Sequence, residues 1–95
     1  MKPDNFVLVS YDMVKDGRRN KIAAILEDYG RRLQYSVFEC ELDREHLDEM
    51  RQRLLKIYCS EEDKIGFYHL CRDCVKRREF YGEHEEPEEP EVYIF

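Results

Sequence analysis

The chain has 95 residues, 42% hydrophobic and 40% charged, with seven Tyr, five Phe, no Trp and a net charge of −6. That balance excludes a disordered chain, and no apolar run approaches the ~20 residues that span a bilayer. The N-terminus lacks a charged region followed by a long apolar stretch, so no secretion signal is read and the expected compartment is the cytosol, with no membrane partner.

The acidity is local. Six acids, Glu83, Glu85, Glu86, Glu88, Glu89 and Glu91, fall in one late segment, and the first 82 residues are electrically balanced. Nucleic-acid binding is therefore compatible with the net charge, because phosphate contacts depend on local basic clusters. Such clusters stand at Arg18-Arg19 with Lys21, at Arg31-Arg32 and at Lys76-Arg77-Arg78.

Phe6-Val7-Leu8-Val9-Ser10-Tyr11-Asp12 reads as a strand that leaves the core and ends in a carboxylate. Lys15-Asp16-Gly17 punctuates its end. A helix is expected from about Arg18 to Tyr29, with Ile22, Ile25, Leu26 and Tyr29 at helical spacing and Gly30 as its C-terminal cap. Arg32 to Leu42 is extended and long for one strand, so two short strands bent near Ser36 are expected. Asp43 is read as the N-cap of a second helix, with Leu47, Met50, Leu54 and Ile57 on one face. Ser60-Glu61-Glu62-Asp63 reads as a polar loop, Lys64 to Leu70 as a strand, and residues 78–81 as a short further strand.

This order gives an α+β fold: a ferredoxin-like sandwich with an antiparallel sheet and two helices on one face. Three parts follow: a domain over 1–82, an acidic linker over 83–90, and a C-terminal strand over 91–95. Val92-Tyr93-Ile94-Phe95 is apolar after a solvated linker, so it is expected to dock on a sheet edge of the partner subunit.

Asp12 offers a hard oxygen donor for a divalent cation. Asp16 is the one other acid close in sequence, so a second copy of the chain is the simplest source of more ligands. The alternative for Asp12 is a cap on the loop into the first helix. Tyr11 at a strand end suits packing, and Phe38 suits the core or a dimer seam. Arg18, Arg19, Arg31 and Arg32 flank the first helix and suit phosphate, or else a solvated face paired with Asp16, Glu27 and Asp28. Cys71-Arg72-Asp73-Cys74 is a single CxxC. A structural zinc site commonly takes two such pairs, and a redox pair is expected in a βαβ context, so buried, reduced thiols or an incidental pair are the readings preferred here. His46 takes a surface role by default.

Three stretches carry a resemblance: Val7 to Asp12; Arg18-Arg19-Asn20-Lys21-Ile22 through Leu26-Glu27-Asp28-Tyr29-Gly30; and Leu33-Gln34-Tyr35-Ser36-Val37-Phe38-Glu39-Cys40. With Ile65-Gly66-Phe67-Tyr68-His69-Leu70-Cys71 and Cys74, they resemble the CRISPR-associated Cas-two family, the small dimeric partner of the spacer-acquisition integrase of this antiviral defence. The resemblance covers roughly residues 5–82. It implies a homodimer with two copies of Asp12 facing each other near the two-fold axis around a divalent cation, usually Mg2+. It implies DNA contacts at Arg18, Arg19, Arg31 and Arg32, with Ser10, Tyr11, Ser36 and Phe38 supporting the acids or lining the dimer seam.

Two functions follow from the resemblance. One is an adaptation protein whose dimer bridges Cas-one type integrase dimers and binds protospacer DNA. The other is a magnesium-dependent endonuclease on single-stranded RNA or double-stranded DNA, with Asp12 catalytic. No general base stands beside Asp12 in the sequence, which ranks the scaffold first. A stand-alone toxin-like endoribonuclease is the further alternative. The acidic segment has no counterpart in the family pattern. It either points away from DNA, meets a basic partner surface, or serves as a solvated tether.

Overall fold

A computed structural model describes residues 5–82 of the chain. Strand β1 (Asn5–Asp12) alternates strictly: Val7, Val9 and Tyr11 are buried, while Phe6, Leu8, Ser10 and Asp12 occupy the other face. Side chains on a strand point to opposite faces in turn, so one apolar run serves two surfaces.

Helix α1 (Asp16–Glu27) starts two residues earlier than its periodicity suggests. Asp16 supplies a negative side chain in the first turn, where the helix dipole favours it, and Gly17 falls inside the helix. Ile22 and Leu26 are its buried residues. The end is closed by Asp28 N–H to the Ile25 carbonyl and Tyr29 N–H to the Leu26 carbonyl, both 3.0 Å.

Gly30 is not the helix cap. It opens strand β2 (Gly30–Gln34), opposite Cys40 of strand β3 (Val37–Leu42). It serves close approach: a Cβ there would run into the Glu39 backbone carbonyl and stand 2.6 Å from Cys40 Sγ. The expected bend falls at Tyr35-Ser36, between the two strands.

Helix α2 (Arg44–Ile57) is capped by Asp43, whose Oδ1 accepts the His46 N–H at 2.8 Å. Leu47, Met50 and Leu54 are buried, and Ile57 packs against them. Strand β4 (Lys64–Leu70) follows, then a short helix α3 (Arg72–Lys76). The strand expected over 78–81 does not form. Arg78 instead folds back on α3, its Nε donating to the Val75 carbonyl at 2.8 Å.

The strands lie in the order β2-β3-β1-β4, all neighbours antiparallel. One core joins Val7, Val9, Tyr11, Phe38, Cys40 and Leu42 of the sheet with residues of both α1 and α2, placing both helices on one face. This is the ferredoxin-like arrangement. Cys40 is buried in that core with its Sγ 3.7 Å from Met50 Sδ, and burial pushes its thiol up to about 12.

The opposite face carries Glu39, opposite Leu8 in register and 9% exposed. Its carboxylate pairs with Arg31 at 3.2 Å and with Arg78. Among the described residues no helix is long and apolar enough to cross a membrane. The acidic linker over 83–90 and the C-terminal strand over 91–95 lie outside the described residues.

Candidate metal-binding and nucleic-acid site

Asp12 is the last residue of β1 and is exposed on the helix-free face. Its carboxylate has no hydrogen-bond or ion-pair partner among the described residues. Directly opposite, in register, stands Lys64, the first residue of β4. Cross-strand partners share a face, so an ammonium flanks the free carboxylate without forming an ion pair with it. Lys64 is a residue that sequence reasoning missed, because strand pairing alone brings it here.

The loop after Asp12 is held from both sides. The Val14 N–H donates to Asp63 Oδ1 at 3.0 Å, and Arg19 Nη2 donates to the Met13 carbonyl at 2.8 Å. Asp63, which read as part of a polar loop, is only 4% exposed. It also accepts the Cys59 N–H at 3.0 Å and Arg18 Nε at 2.7 Å. The Arg18 guanidinium, chiefly, holds its carboxyl well below the ordinary range, at about 2. Hydrogen bonds to the charged form favour that form. No local pattern could have announced this pair, since 45 residues separate its members.

Within one chain the four candidate arginines do not share one face. Arg18 is taken up by Asp63 and by Glu62 at 2.5 Å. Arg19 pairs with Asp16. Arg31 faces the helix-free side on Glu39, while Arg32 pairs in register with Phe38 and therefore lies on the helix side. Arg32 is exposed, with its guanidinium 5.2 Å from the Phe38 ring centroid. Of the four, it alone has no carboxylate partner among the described residues.

The supporting residues divide as well. Ser10 shares the face of Asp12, between Val37 and Gly66. The Ser36 carbonyl accepts the Tyr11 N–H at 3.0 Å. Tyr11 and Phe38 lie in the helix-side core, their ring centroids 6.3 Å apart. Burial pushes the Tyr11 hydroxyl up. Within the chain both pack away from the face that carries Asp12.

No group of three or more His, Cys, Asp or Glu among the described residues could hold a metal. At the end of β1 one chain thus offers Mg2+ a single carboxylate among the described residues. Magnesium is commonly held by one or two carboxylates, completed by waters and phosphates, so the donor type fits and the count calls for a second source. The CxxC thiols, read as buried and reduced or as an incidental pair, are free and both exposed.

The family model described as CRISPR associated protein Cas2 matches residues 5–78. The chain belongs to the Cas2 family. A curated relative from Synechocystis sp., CRISPR-associated endoribonuclease Cas2 3, is 46% identical over 76 residues, covering 80% of this chain and 83% of that protein. The crystal structure of Streptococcus pyogenes Cas2 superposes with a TM-score of 0.73 at 34% identity, covering 81% of this chain and 99% of the other. A chain of a structure described as a partial Cas6-RT-Cas1–Cas2 complex superposes with a TM-score of 0.70 at 29% identity, covering 80% and 83% respectively. The family match begins at Asn5 and ends at Arg78, so it spans the Cas2 sheet, both packed helices and α3.

Proposed function

We propose that this chain is the Cas2 subunit of a CRISPR adaptation complex, a homodimer that bridges Cas1-type integrase dimers and binds protospacer DNA during spacer acquisition. The observation that carries this reading is the likeness, over 80% of the chain, to a structure described as a Cas1–Cas2 complex. Two copies of Asp12 would share a Mg2+ ion near the two-fold axis. Relief of repulsion between two carboxylates would favour the cation. When bound, it would supply charge for a phosphate and an activated water. Lys64 would hold a phosphate oxygen beside that carboxylate, and Arg32 would offer a bidentate contact to backbone phosphate further away.

The second reading is an endonuclease on single-stranded RNA or double-stranded DNA. It is favoured by the endoribonuclease in the name of the Synechocystis relative. Asp12 is then the ligand that makes cleavage depend on magnesium. The scaffold reading stands first because no general base stands beside Asp12 in the sequence.

The test is reconstituted spacer integration with the cognate integrase, comparing the wild-type chain with Asp12→Ala. Integration retained by the variant assigns the scaffold role without the acid pair. Integration lost with the dimer intact assigns the metal site to the main task. A wild-type chain that neither binds the integrase nor supports integration overturns the adaptation reading. Magnesium-dependent RNA cleavage abolished by Asp12→Ala would then carry the second.

A further inference from the structure

Cys71 and Cys74 join β4 to α3 at the surface. Both thiols are free and exposed, and their sulfurs lie 3.0 Å apart. Cys71 Sγ also accepts the Cys74 backbone N–H at 3.2 Å. A disulfide spans about 2 Å between sulfurs, so closure asks for an approach of about 1 Å within one turn of chain. The other two cysteines are poor competitors, Cys40 being buried in the core and Cys59 half-buried.

We propose that Cys71 and Cys74 form a reversible dithiol–disulfide site that reacts with low-molecular-weight disulfides of the glutathione type. This goes beyond the adaptation function and does not depend on it. Cys71 is the attacking thiol. The Cys74 sulfur lies against its sulfur and the Cys74 backbone N–H donates to it, and these contacts hold the Cys71 thiol below the ordinary range, while the same sulfur contact holds Cys74 above it. The thiolate is the nucleophile in such exchange.

Cys71 Sγ attacks one sulfur of R–S–S–R, forming a Cys71 mixed disulfide and expelling one thiolate. Cys74 Sγ then attacks Cys71 Sγ, forming the protein disulfide and expelling the second thiolate. The two protons of the protein thiols end on two RSH, and the two electrons given up by the protein reduce the small disulfide. The bond ties the end of β4 to the first turn of α3, the element that carries buried Val75 and leads to the Arg78–Glu39 pair.

The full-length reduced chain is equilibrated with glutathione buffers of graded poise, quenched by alkylation and mapped by mass spectrometry. The expected result is a Cys71–Cys74 bridge that appears as the buffer becomes oxidising and is reversed by dithiothreitol. Cys74→Ser should trap a glutathione mixed disulfide on Cys71, about tenfold faster than Cys71→Ser traps one on Cys74. Circular dichroism checks that both variants fold, as exposed positions allow. No bridge at any poise, or a bridge that engages Cys59 instead, overturns the site. Equal trapping rates in the two variants overturn the assignment of Cys71 as the attacking thiol.

Discussion

Arg18 Nε meets Asp63 Oδ2 at 2.7 Å, and through Val14 that same carboxylate anchors the loop that follows Asp12. The candidate site is thus fixed by a residue from the other end of the chain. Arg18, read from the sequence as a DNA contact, also serves as a structural tie.

Asp63→Asn should lower the melting temperature by several degrees at neutral pH, because the charged acceptor for Arg18, Val14 and Cys59 is lost. The pH dependence has a definite sign. The folded carboxyl lies below its ordinary 3.8, at about 2. Its stabilisation is complete above the ordinary value and fades as the pH falls through about 2. Thermal melts of wild type and Asp63→Asn should therefore differ at pH 7 and converge on acidification. A constant gap down to the lowest pH would show that the carboxylate charge is not what stabilises.

Asp12→Asn should leave stability within about 0.5 kcal/mol of wild type, as expected for an exposed side chain without partners. The change should appear in metal response. Magnesium should raise the melting temperature of the wild-type protein and leave Asp12→Asn unmoved. Equal magnesium shifts would place the cation elsewhere.

Gly30→Ala should cost about 1–3 kcal/mol, because the new methyl meets the Glu39 backbone, which cannot rotate away. Urea unfolding measures it. An unchanged midpoint would mean that β2 shifts freely against β3.

His46→Gln tests the cap of α2. Asp43 holds the His46 imidazolium by a side-chain hydrogen bond and so raises its pKa above 6.5. The stabilisation from protonated His46 is full below 6.5 and is lost as the pH rises through the raised folded value. A small wild-type advantage in melting temperature is expected at pH 6, vanishing in mildly alkaline buffer. An advantage that grows with pH would reverse the assigned interaction.

The elements were largely legible because their signals are local. Asp43 precedes an apolar helical stripe, and Ile65, Phe67 and His69 alternate with Gly66, Tyr68 and Leu70. What escaped reading depends on tertiary neighbours. Gly30 looks like a helix cap until the Glu39 carbonyl is seen against it. Arg31 and Arg32 look like one basic patch, yet strand pleating sends them to opposite faces. Asp63 looks like the end of a polar loop and Lys64 like the start of a strand, and only long-range contact and strand pairing bring them to Arg18 and Asp12.

The neighbours Tyr11 and Asp12 have opposite fates, one in the core and one in solvent, and this couples two kinds of selection. A one-residue deletion within β1 would swing the phenol outward and drive the carboxylate under the helices. Folding itself would then reject the change before any effect on the chemistry of Asp12 could be seen. Insertions and deletions in this strand are thus filtered by stability, and the acid keeps its place under a constraint that functional selection did not have to impose.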